Sequence, residues 1–470
     1  MNNYKTTVGI EVHAELKTAT KIFSNSLNSY GKMANTNVNV VDLGYPGTLP
    51  TLNEEVLRLA TRAALVLNCT INKRMHFDRK NYFYPDNPKN YQITQNRTPI
   101  GVNGYVEIDT DNGPKKIRIH DIHIEEDTCK STHGKTSSLL DFNRAGVPLV
   151  EIVTEADMNS PEDAMKYLER LRELLLYADV SDCKIEEGSM RCDCNVSISK
   201  TEKLGTKVEV KNIGSISNVG LAIEFEEKRQ AELLEKGEKI KEQTRRYDDK
   251  IGETILMRYK ETGNDYRYFP EPDIPYVTLT DEYIKEVEDN LPMRADERRK
   301  VYLDAGINEV NVTKIIANRN ISDYLNKFID KCNLVIASNL LLGDIQAYLN
   351  KMEYTYADTK LTDDKFLTLV NYMDKGKVNS KQFKEIIDDI MEEDLSIDEI
   401  LDKHGFKEMD SSELDNIIKT VMDNNEQSVN DYKNGNERAI KFLMGQIMKE
   451  TKGNANPQLV TEKLIEKLKE

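Results

Sequence analysis

A pattern of acids and a histidine near the amino terminus is suited to holding a metal ion. Between residues 8 and 16, apolar residues alternate with Glu11, His13 and Glu15. Such alternation is typical of a strand with one buried face, so the three polar side chains share a surface at steps of about 7 Å. Carboxylates and an imidazole so spaced suit a cation. On this strand alone, an ordinary solvent-exposed polar face is the better explanation.

Four later segments repeat the pattern and favour a chemical role. Each sets acids and a few bases opposite an apolar face: His123 with Glu125, Glu151 with Glu155, Arg191 with Asp193 and Asn195, and Lys207 with Glu209 and Lys211. Oxygen ligands suit Mg²⁺, which commonly binds together with a phosphate, and Lys and Arg hold phosphate oxygens. The five segments together predict a sheet whose polar face binds a magnesium nucleotide.

The elements that must position these side chains change in kind along the chain. Up to about residue 290, short alternating runs and interspersed helical stretches predict a mixed α/β body. The clearest helices are expected at 53–67, 161–177 and 220–236. After about Leu291 the pattern is helical throughout, with a further break near Gly405. We therefore expect three domains, at 1–290, 291–405 and 406–470, in an α+β chain with helical carboxyl-terminal parts.

Composition restricts the class of protein. The 470 residues have a net charge of −16, which argues against a protein that coats nucleic acid by bulk charge. The charge is uneven, because residues 385–432 hold sixteen acids and three lysines whereas 433–470 are net +3. No apolar run approaches the ~18 residues of a membrane helix, and the first residues resemble no leader peptide. Six scattered cysteines indicate a reducing compartment, so we expect a cytoplasmic protein.

Longer motifs resemble one family closely, the B subunits of the bacterial aspartyl/glutamyl-tRNA amidotransferases. One example is Arg-Lys-Asn-Tyr-Phe-Tyr-Pro-Asp at 79–86, and another is Asn-Arg-Ala-Gly-Val-Pro-Leu-Val-Glu-Ile-Val at 143–153. Further matching segments run in order along the whole chain, at 8–13, 45–50, 125–127, 187–193, 195–197, 265–270, 343–344, 445–446 and 451–457. Matches this long and this numerous are highly specific.

The resemblance implies a glutamine-synthetase-like catalytic body, an all-helical domain and a small tail domain that contacts tRNA. It implies a heterotrimer with the A and C subunits of the family, in which the A subunit is a glutaminase that supplies ammonia. The chain itself is implied to use ATP and Mg²⁺ to phosphorylate the side-chain carboxylate of Glu on tRNA(Gln), or of Asp on tRNA(Asn). Ammonia then displaces the phosphate. Positioned charges stabilise the transition state of such a transfer, and no side chain has to act as a nucleophile.

Carried over residue by residue, the resemblance implies roles for the polar face. The catalytic set is Glu11, His13, Glu125, Glu151 and Asp193, and the first four are also the expected metal ligands. Contacts to the nucleotide or the tRNA end are expected from Lys80, Arg144, Arg191, Glu209 and Lys211. Because Mg²⁺ prefers oxygen, His13 either binds the ion or only orients a carboxylate.

The chain departs from the family in its early loop. Many members carry four cysteines there that bind zinc, whereas the corresponding positions here are Ser24, Ser26, Asn39 and Asp42. Without sulfur ligands we expect no structural zinc, and the loop must be held by packing.

Two other functions remain open at this stage. A stand-alone ATP-dependent ligase that joins an amine to a small carboxylate could use the same sheet, but it has no need of a basic helical tail. A non-catalytic tRNA scaffold has no need of the recurrent acidic faces. The sequence does not specify which aminoacyl-tRNA is the physiological substrate.

Overall fold

The computed structural model describes residues 4–259, 266–406, 411–433, 436, 438–451, 455 and 457–469. Asp265 and residues 452–454 and 456 of the family motifs lie outside the described residues, as do residues 407–410 of the expected tail. The chain forms two compact units, Met1–Ala295 and Asp296–Glu470. The three-domain division expected from the sequence stays a prediction.

The first unit is built around a large mixed sheet. The strands of its described residues are β1 (Lys5–Glu15), β2 (Thr70–Ile71), β3 (Arg74–Met75), β4 (Asp78–Asn81), β5 (Tyr91–Thr94), β6 (Gly101–Thr110), β7 (Gly113–Glu126), β8 (Lys130–His133), β9 (Ser138–Asp141), β10 (Pro148–Thr154), β11 (Met190–Ser199), β12 (Val208–Lys211), β13 (Gln243–Asp248), β14 (Glu253–Tyr259), β15 (Phe269–Pro270) and β16 (Val277–Thr278). Nine of them form one sheet in the order β14-β13-β12-β11-β1-β10-β7-β6-β2. Strands β12 and β13 are parallel, and the other registered neighbours are antiparallel. The amino-terminal strand thus lies at the centre of the sheet.

Four helices accompany this sheet. They are α1 (Glu54–Val66), α2 (Pro161–Tyr177), α3 (Ile216–Glu235) and α4 (Asp281–Asp289). Capping residues define where the predicted helices begin, because the Asn53 and Ser160 side chains accept hydrogen bonds from the first-turn amides of Glu55 and Asp163. The expected helices at 53–67 and 161–177 are confirmed almost residue for residue, and the third begins four residues earlier than expected.

The two faces of the sheet differ as the alternation predicted. On β1, the side chains of Val8, Ile10 and Val12 are at most 1% exposed and belong to the main core of the unit. Helices α1, α2 and α3 pack against this apolar face. Burial of apolar surface therefore orients the strand, and it leaves the alternating polar side chains on the opposite face.

The second unit is helical in its described residues. Its helices are α5 (Ala295–Asp304), α6 (Glu309–Ala317), α7 (Arg319–Asn326), α8 (Leu334–Leu340), α9 (Gln346–Met352), α10 (Asp363–Asp374), α11 (Ser380–Glu392), α12 (Ile397–Lys403), α13 (Ser411–Asn424), α14 (Glu426–Lys433), α15 (Arg438–Glu450) and α16 (Pro457–Lys469). A π-helical turn at Leu341–Ile345 joins α8 to α9, and Gly343 there departs from helical geometry. Within the described residues, no helix is both long enough and apolar enough to cross a bilayer.

Helices α13, α15 and α16 share a hydrophobic core of their own. Its buried members are Leu414, Ile418, Val421, Leu443, Ile447, Ala455, Val460, Leu464 and Leu468. All of them lie between residues 414 and 468. The α+β class, with a mixed sheet followed by helices, is confirmed.

Candidate active site

Four strands at the centre of the sheet bring the predicted side chains into one row. In the registered pairing, His13 of β1 lies opposite Glu151 of β10 on one side and Arg191 of β11 on the other. Glu151 in turn lies opposite His123 of β7. Directly opposed residues on one face of an antiparallel pair have neighbouring side chains, so the row His123–Glu151–His13–Arg191 is a continuous strip of charge.

The first cluster in this strip joins two carboxylates to one imidazole. His13 Nε2 lies 3.2 Å from Glu125 Oε1 and 3.4 Å from Glu151 Oε2. One ligand atom from each of the three residues lies within 4.8 Å of the others, a spacing that a metal ion can bridge. Glu125 is 2% exposed, and its Oε2 has no hydrogen-bond partner among the described residues. A buried carboxylate oxygen without a partner is costly, which makes this cluster suited to a cation.

The second cluster lies one rung along β1. Glu11, Asp193 of β11 and Glu209 of β12 also offer ligand atoms within 4.8 Å of one another. Asn195 Nδ2 donates to Glu11 Oε1 at 2.9 Å, and Lys211 Nζ donates to Asp193 Oδ2 at 2.6 Å. The four metal ligands expected from the sequence are therefore not grouped as one set. Glu11 lies with Asp193 and Glu209, because residues two apart on a strand reach different rungs of the sheet.

A third group lies at the end of β7 and combines an acid with two arginines. Arg191 Nη2 donates to Asp127 Oδ2 at 2.7 Å, and Arg144 Nε lies 3.5 Å from the same oxygen. Arg144 also donates to the backbone carbonyls of Thr128 and Cys129, at 3.0 Å each. Arg144 therefore holds the loop after β7, whereas its expected contact to phosphate or tRNA stays a prediction.

One cavity of about 470 Å³ connects these groups. Its lining includes six of the residues singled out from the sequence, namely His13, Lys80, Glu125, Arg191, Asp193 and Lys211. Lys80, on β4, also lies 5.2 Å from the ring centre of Tyr266. A larger cavity of about 720 Å³ lies in the second unit, but among its described lining residues only Asp344 and Asp374 are charged. The chemistry therefore belongs to the first unit.

Burial and charge shift the pKa values of these groups in opposing directions. Burial favours the neutral ring of His13, but Glu151 and Glu125 outweigh it and raise the pKa to about 10. Burial also opposes ionisation of Glu151, yet His123 and His13 hold its pKa well below the usual range. Burial and the charge of Glu151 raise the pKa of Glu11. The contacting pair His13 and Glu151 thus has strong pKa shifts of opposite sign, a feature that is common at functional sites.

Three residues of the site had no individual role assigned from the sequence, although its alternation placed His123 and Glu15 on the polar face. His123 and Asp121 extend the strip beyond Glu151, and Glu15 faces Asp127, where burial and that carboxylate raise the Glu15 pKa to about 7. Asp121 was missed, and the signal that could have found it is the alternation that placed His123 and Glu125 on one face, read back two further residues along β7.

The early loop has a polar cluster where cysteines were expected in the family. The Asp42 carboxylate accepts hydrogen bonds from the Ser24 and Ser26 hydroxyls at 2.7 Å each and from the backbone N–H of Asn39 at 3.0 Å. Lys21 Nζ lies 3.3 Å from Asp42, and the Lys21 side chain is fully buried. An ammonium group thus supplies the positive charge at the centre of this loop, although burial lowers the Lys21 pKa against the opposing effect of Asp42.

Comparison with known proteins identifies the class of protein. Residues 6–285 match the family model described as the GatB/GatE catalytic domain, and residues 323–468 match the one described as the GatB domain. The chain therefore belongs to the GatB/GatE family, which confirms the resemblance found in its motifs.

Full-length relatives make the match more specific. A protein of Limosilactobacillus reuteri and one of Bacillus licheniformis are each 46% identical to the chain, and one of Enterococcus faecalis is 45% identical. In each case the match covers 99% of both proteins. All three relatives are named as the B subunit of the aspartyl/glutamyl-tRNA(Asn/Gln) amidotransferase.

Proposed function

We propose that this chain is the component of a glutamine-dependent aminoacyl-tRNA amidotransferase that activates the misacylated residue. It phosphorylates the side-chain carboxylate of Glu on tRNA(Gln) or Asp on tRNA(Asn) with ATP, and ammonia then displaces the phosphate to leave the amide. The observation that carries the proposal is the cluster of His13, Glu125 and Glu151 in a protein of this family. The stand-alone small-molecule ligase is not favoured, because the named relatives are tRNA amidotransferase subunits.

The first cluster fits a divalent ion. His13, Glu125 and Glu151 would hold it, and the partnerless Oε2 of Glu125 supports this assignment. Glu11, Asp193 and Glu209 would hold a second ion. When bound, Mg²⁺ neutralises negative charge on phosphoryl oxygens.

Cationic side chains in the same cavity would orient the reactants. Lys80, Arg191 and Lys211 line it from three different strands. Burial opposes the charge on Lys80, but Glu125, Tyr268, Glu151 and Tyr266 together outweigh it and raise the Lys80 pKa, so this side chain is charged at neutral pH. Fixed positive charges around a transferring phosphoryl group stabilise its transition state without any covalent step on the protein.

The proposed reaction requires partner proteins, because this chain uses ammonia that another subunit produces. The proposed reaction consumes ammonia, so a glutaminase partner, the A subunit of the family, supplies it from glutamine, and the C subunit completes the heterotrimer. The carboxyl-terminal tail, whose sequence from residue 433 is net +3, contacts the tRNA. The assembly works in the bacterial cytoplasm, which accords with the absence of disulfides among the six cysteines.

Transamidation with purified components tests the proposal. The full-length chain and its partners are incubated with ATP, Mg²⁺ and either Glu-tRNA(Gln) or Asp-tRNA(Asn), with glutamine or ammonium chloride as the nitrogen donor. We expect the amidated aminoacyl-tRNA with either donor and only when ATP is present. Failure to form both Gln-tRNA(Gln) and Asn-tRNA(Asn) contradicts the proposal. The comparison of the two tRNAs also identifies the substrate.

A further inference from the structure

His123 is the one imidazole besides His13 in the strip of charge across β7, β10, β1 and β11 in the described sheet. It lies outside the three residues that offer atoms to the first metal cluster. Its two ring nitrogens nevertheless contact two carboxylates. Nδ1 lies 2.7 Å from Asp121 Oδ1, and Nε2 lies 3.0 Å from Glu151 Oε2. Both distances are those of good hydrogen bonds.

The two bonds hold the ring in one orientation. Ionised carboxylates only accept hydrogen bonds, so each ring nitrogen donates to its own acid. The side chains of His123, Asp121 and Glu151 are 15%, 19% and 14% exposed, so water competes little for these bonds. His123 and His13 both approach Oε2 of Glu151, which leaves the other carboxylate oxygen out of these contacts.

We propose that His123, held in place by Asp121, is a positioning residue that fixes the Glu151 carboxylate in the orientation from which it binds the metal ion. The inference rests on the proposed function, because it requires a divalent ion at the first cluster. Side chains that hydrogen-bond a metal ligand, without touching the metal themselves, fix the orientation of that ligand. Their loss typically costs about 10–100-fold in metal affinity.

The alternative is a purely structural role, in which His123 only holds β7 against β10. The pairing of these strands has independent support, because it extends from Pro148 to Thr154 and buries Ile122, Ile124 and Ile152 completely. The chain also offers a matched control on the same strand. His120 Nδ1 lies 2.9 Å from Glu155 Oε1 and His120 Nε2 lies 3.8 Å from Asp121 Oδ2, but the His120 side chain is 66% exposed and lies outside the first metal cluster.

Three variants separate the two roles. In His123→Asn the amide nitrogen replaces Nδ1, so it reaches Asp121 and removes the His123 donor from Glu151, where His13 remains. In His123→Gln the amide nitrogen reaches the position of Nε2 and restores the donor to Glu151. His120→Gln removes an imidazole of the same strand that does not touch the cluster. Mn²⁺ affinity is measured by electron paramagnetic resonance on the full-length chain in its complex. Thermal unfolding of each variant and its KM for Mg²⁺ in amide formation are measured in parallel.

We expect His123→Asn to weaken Mn²⁺ binding and raise the KM for Mg²⁺ by about 10–100-fold, with unfolding unchanged. His123→Gln recovers most of the affinity, and His120→Gln binds as the wild type does. Wild-type affinity in His123→Asn, or equal losses in the Asn and Gln variants, overturns the inference and leaves the proposed function intact. A wild-type protein that binds no Mn²⁺ displaceable by Mg²⁺ overturns the metal cluster itself, and with it both proposals.

Discussion

Glu125 is the most deeply buried of the expected metal ligands, so its carboxylate depends most on nearby positive charge. Its side chain is 3% exposed, against 22% for His13 and 14% for Glu151. One oxygen contacts His13, and the other has no hydrogen-bond partner in the part of the chain that the structure describes. An ionised carboxylate in such surroundings requires a positive partner. Glu125 is therefore the residue whose charge should matter most to the reaction.

Replacing Glu125 with Gln retains the shape of the side chain and removes its charge. We expect the rate of amide formation by the complex to fall by at least about 100-fold. This is the typical effect of removing one electrostatic contact to a transition state. Glutamine hydrolysis by the partner should remain chemically intact. The control is Glu107→Gln, since Glu107 is exposed on β6 of the same sheet. Normal amide formation by Glu125→Gln would remove Glu125 from the site.

The early loop provides a second prediction at the scale of single residues. Lys21 is fully buried beside Asp42, so its replacement by Met leaves a buried carboxylate without its cation. We expect the free energy of unfolding to fall by about 3 kcal/mol, whereas the control Lys32→Met, at an exposed position, has little effect.

Because the positive charge of this loop is part of the chain, a strong zinc chelator should leave the melting temperature of the wild type unchanged. A clear decrease on chelation would show that zinc does hold this loop.

At the scale of elements, alternation predicts which side chains share a face, and it does not predict which of them touch. The faces of β1, β10 and β11 follow from the sequence because apolar burial permits only one orientation of each strand. The contact between His13 and Glu151 depends on β1 pairing with β10, and that pairing joins residues 138 positions apart. Register between distant strands is a property of the whole sheet. For this reason the separation of Glu11 from the other expected ligands was not predicted.

The attachment of α3 to the sheet uses a buried ion network on the apolar side. Glu226 is fully buried and accepts two hydrogen bonds from Arg229, at 2.9 and 2.7 Å. It also contacts Arg245 of β13 and accepts a hydrogen bond from Thr254 of β14. Burial by itself raises the Glu226 pKa, but the hydrogen bonds and charge of Arg229, with the hydrogen bonds from Thr254 and Gln230, together outweigh it and hold the pKa below its usual value of 4.5.

The network predicts a dependence of stability on pH. A carboxyl group whose pKa is lower in the folded state stabilises the fold above its unfolded pKa, and this contribution is lost as the pH falls through the folded pKa. We expect Glu226→Gln to lower the free energy of unfolding by about 3 kcal/mol at pH 7.5, because two arginines lose their partner. The difference from the wild type should shrink below pH 4.5. Urea denaturation at several pH values measures it, with exposed Glu224→Gln as the control.

At the scale of the whole molecule, the net charge of −16 hides opposite local charges. The segment 385–432 accounts for most of the excess acid, and the segment after it is basic. In the first unit, the acids at the centre of the sheet are grouped as prospective metal ligands. The acidic total therefore limits non-specific binding to nucleic acid, and it leaves room for one tRNA recognised by shape and local contacts.

Deleting residues 406–470 tests the role of the tail. Its helices share a core drawn entirely from that segment, so the deletion removes a complete packing unit. We expect weaker binding of tRNA to the complex, measured by filter binding at two salt concentrations, and unchanged Mn²⁺ binding by the first unit. Equal tRNA affinity in the truncated and intact complexes would contradict a tRNA contact by the tail.

The central position of β1 has a consequence for how the protein is made. This strand leaves the ribosome well before its two neighbours in the sheet, which begin at Pro148 and Met190. At a synthesis rate of about 5–20 residues per second, β1 waits about 7–30 s for its first partner. Its apolar side chains are without their native cover for that time, and the row of charge across four strands does not exist until β11 emerges. We expect nascent chains shorter than about 200 residues to depend on chaperones more than most amino-terminal domains do.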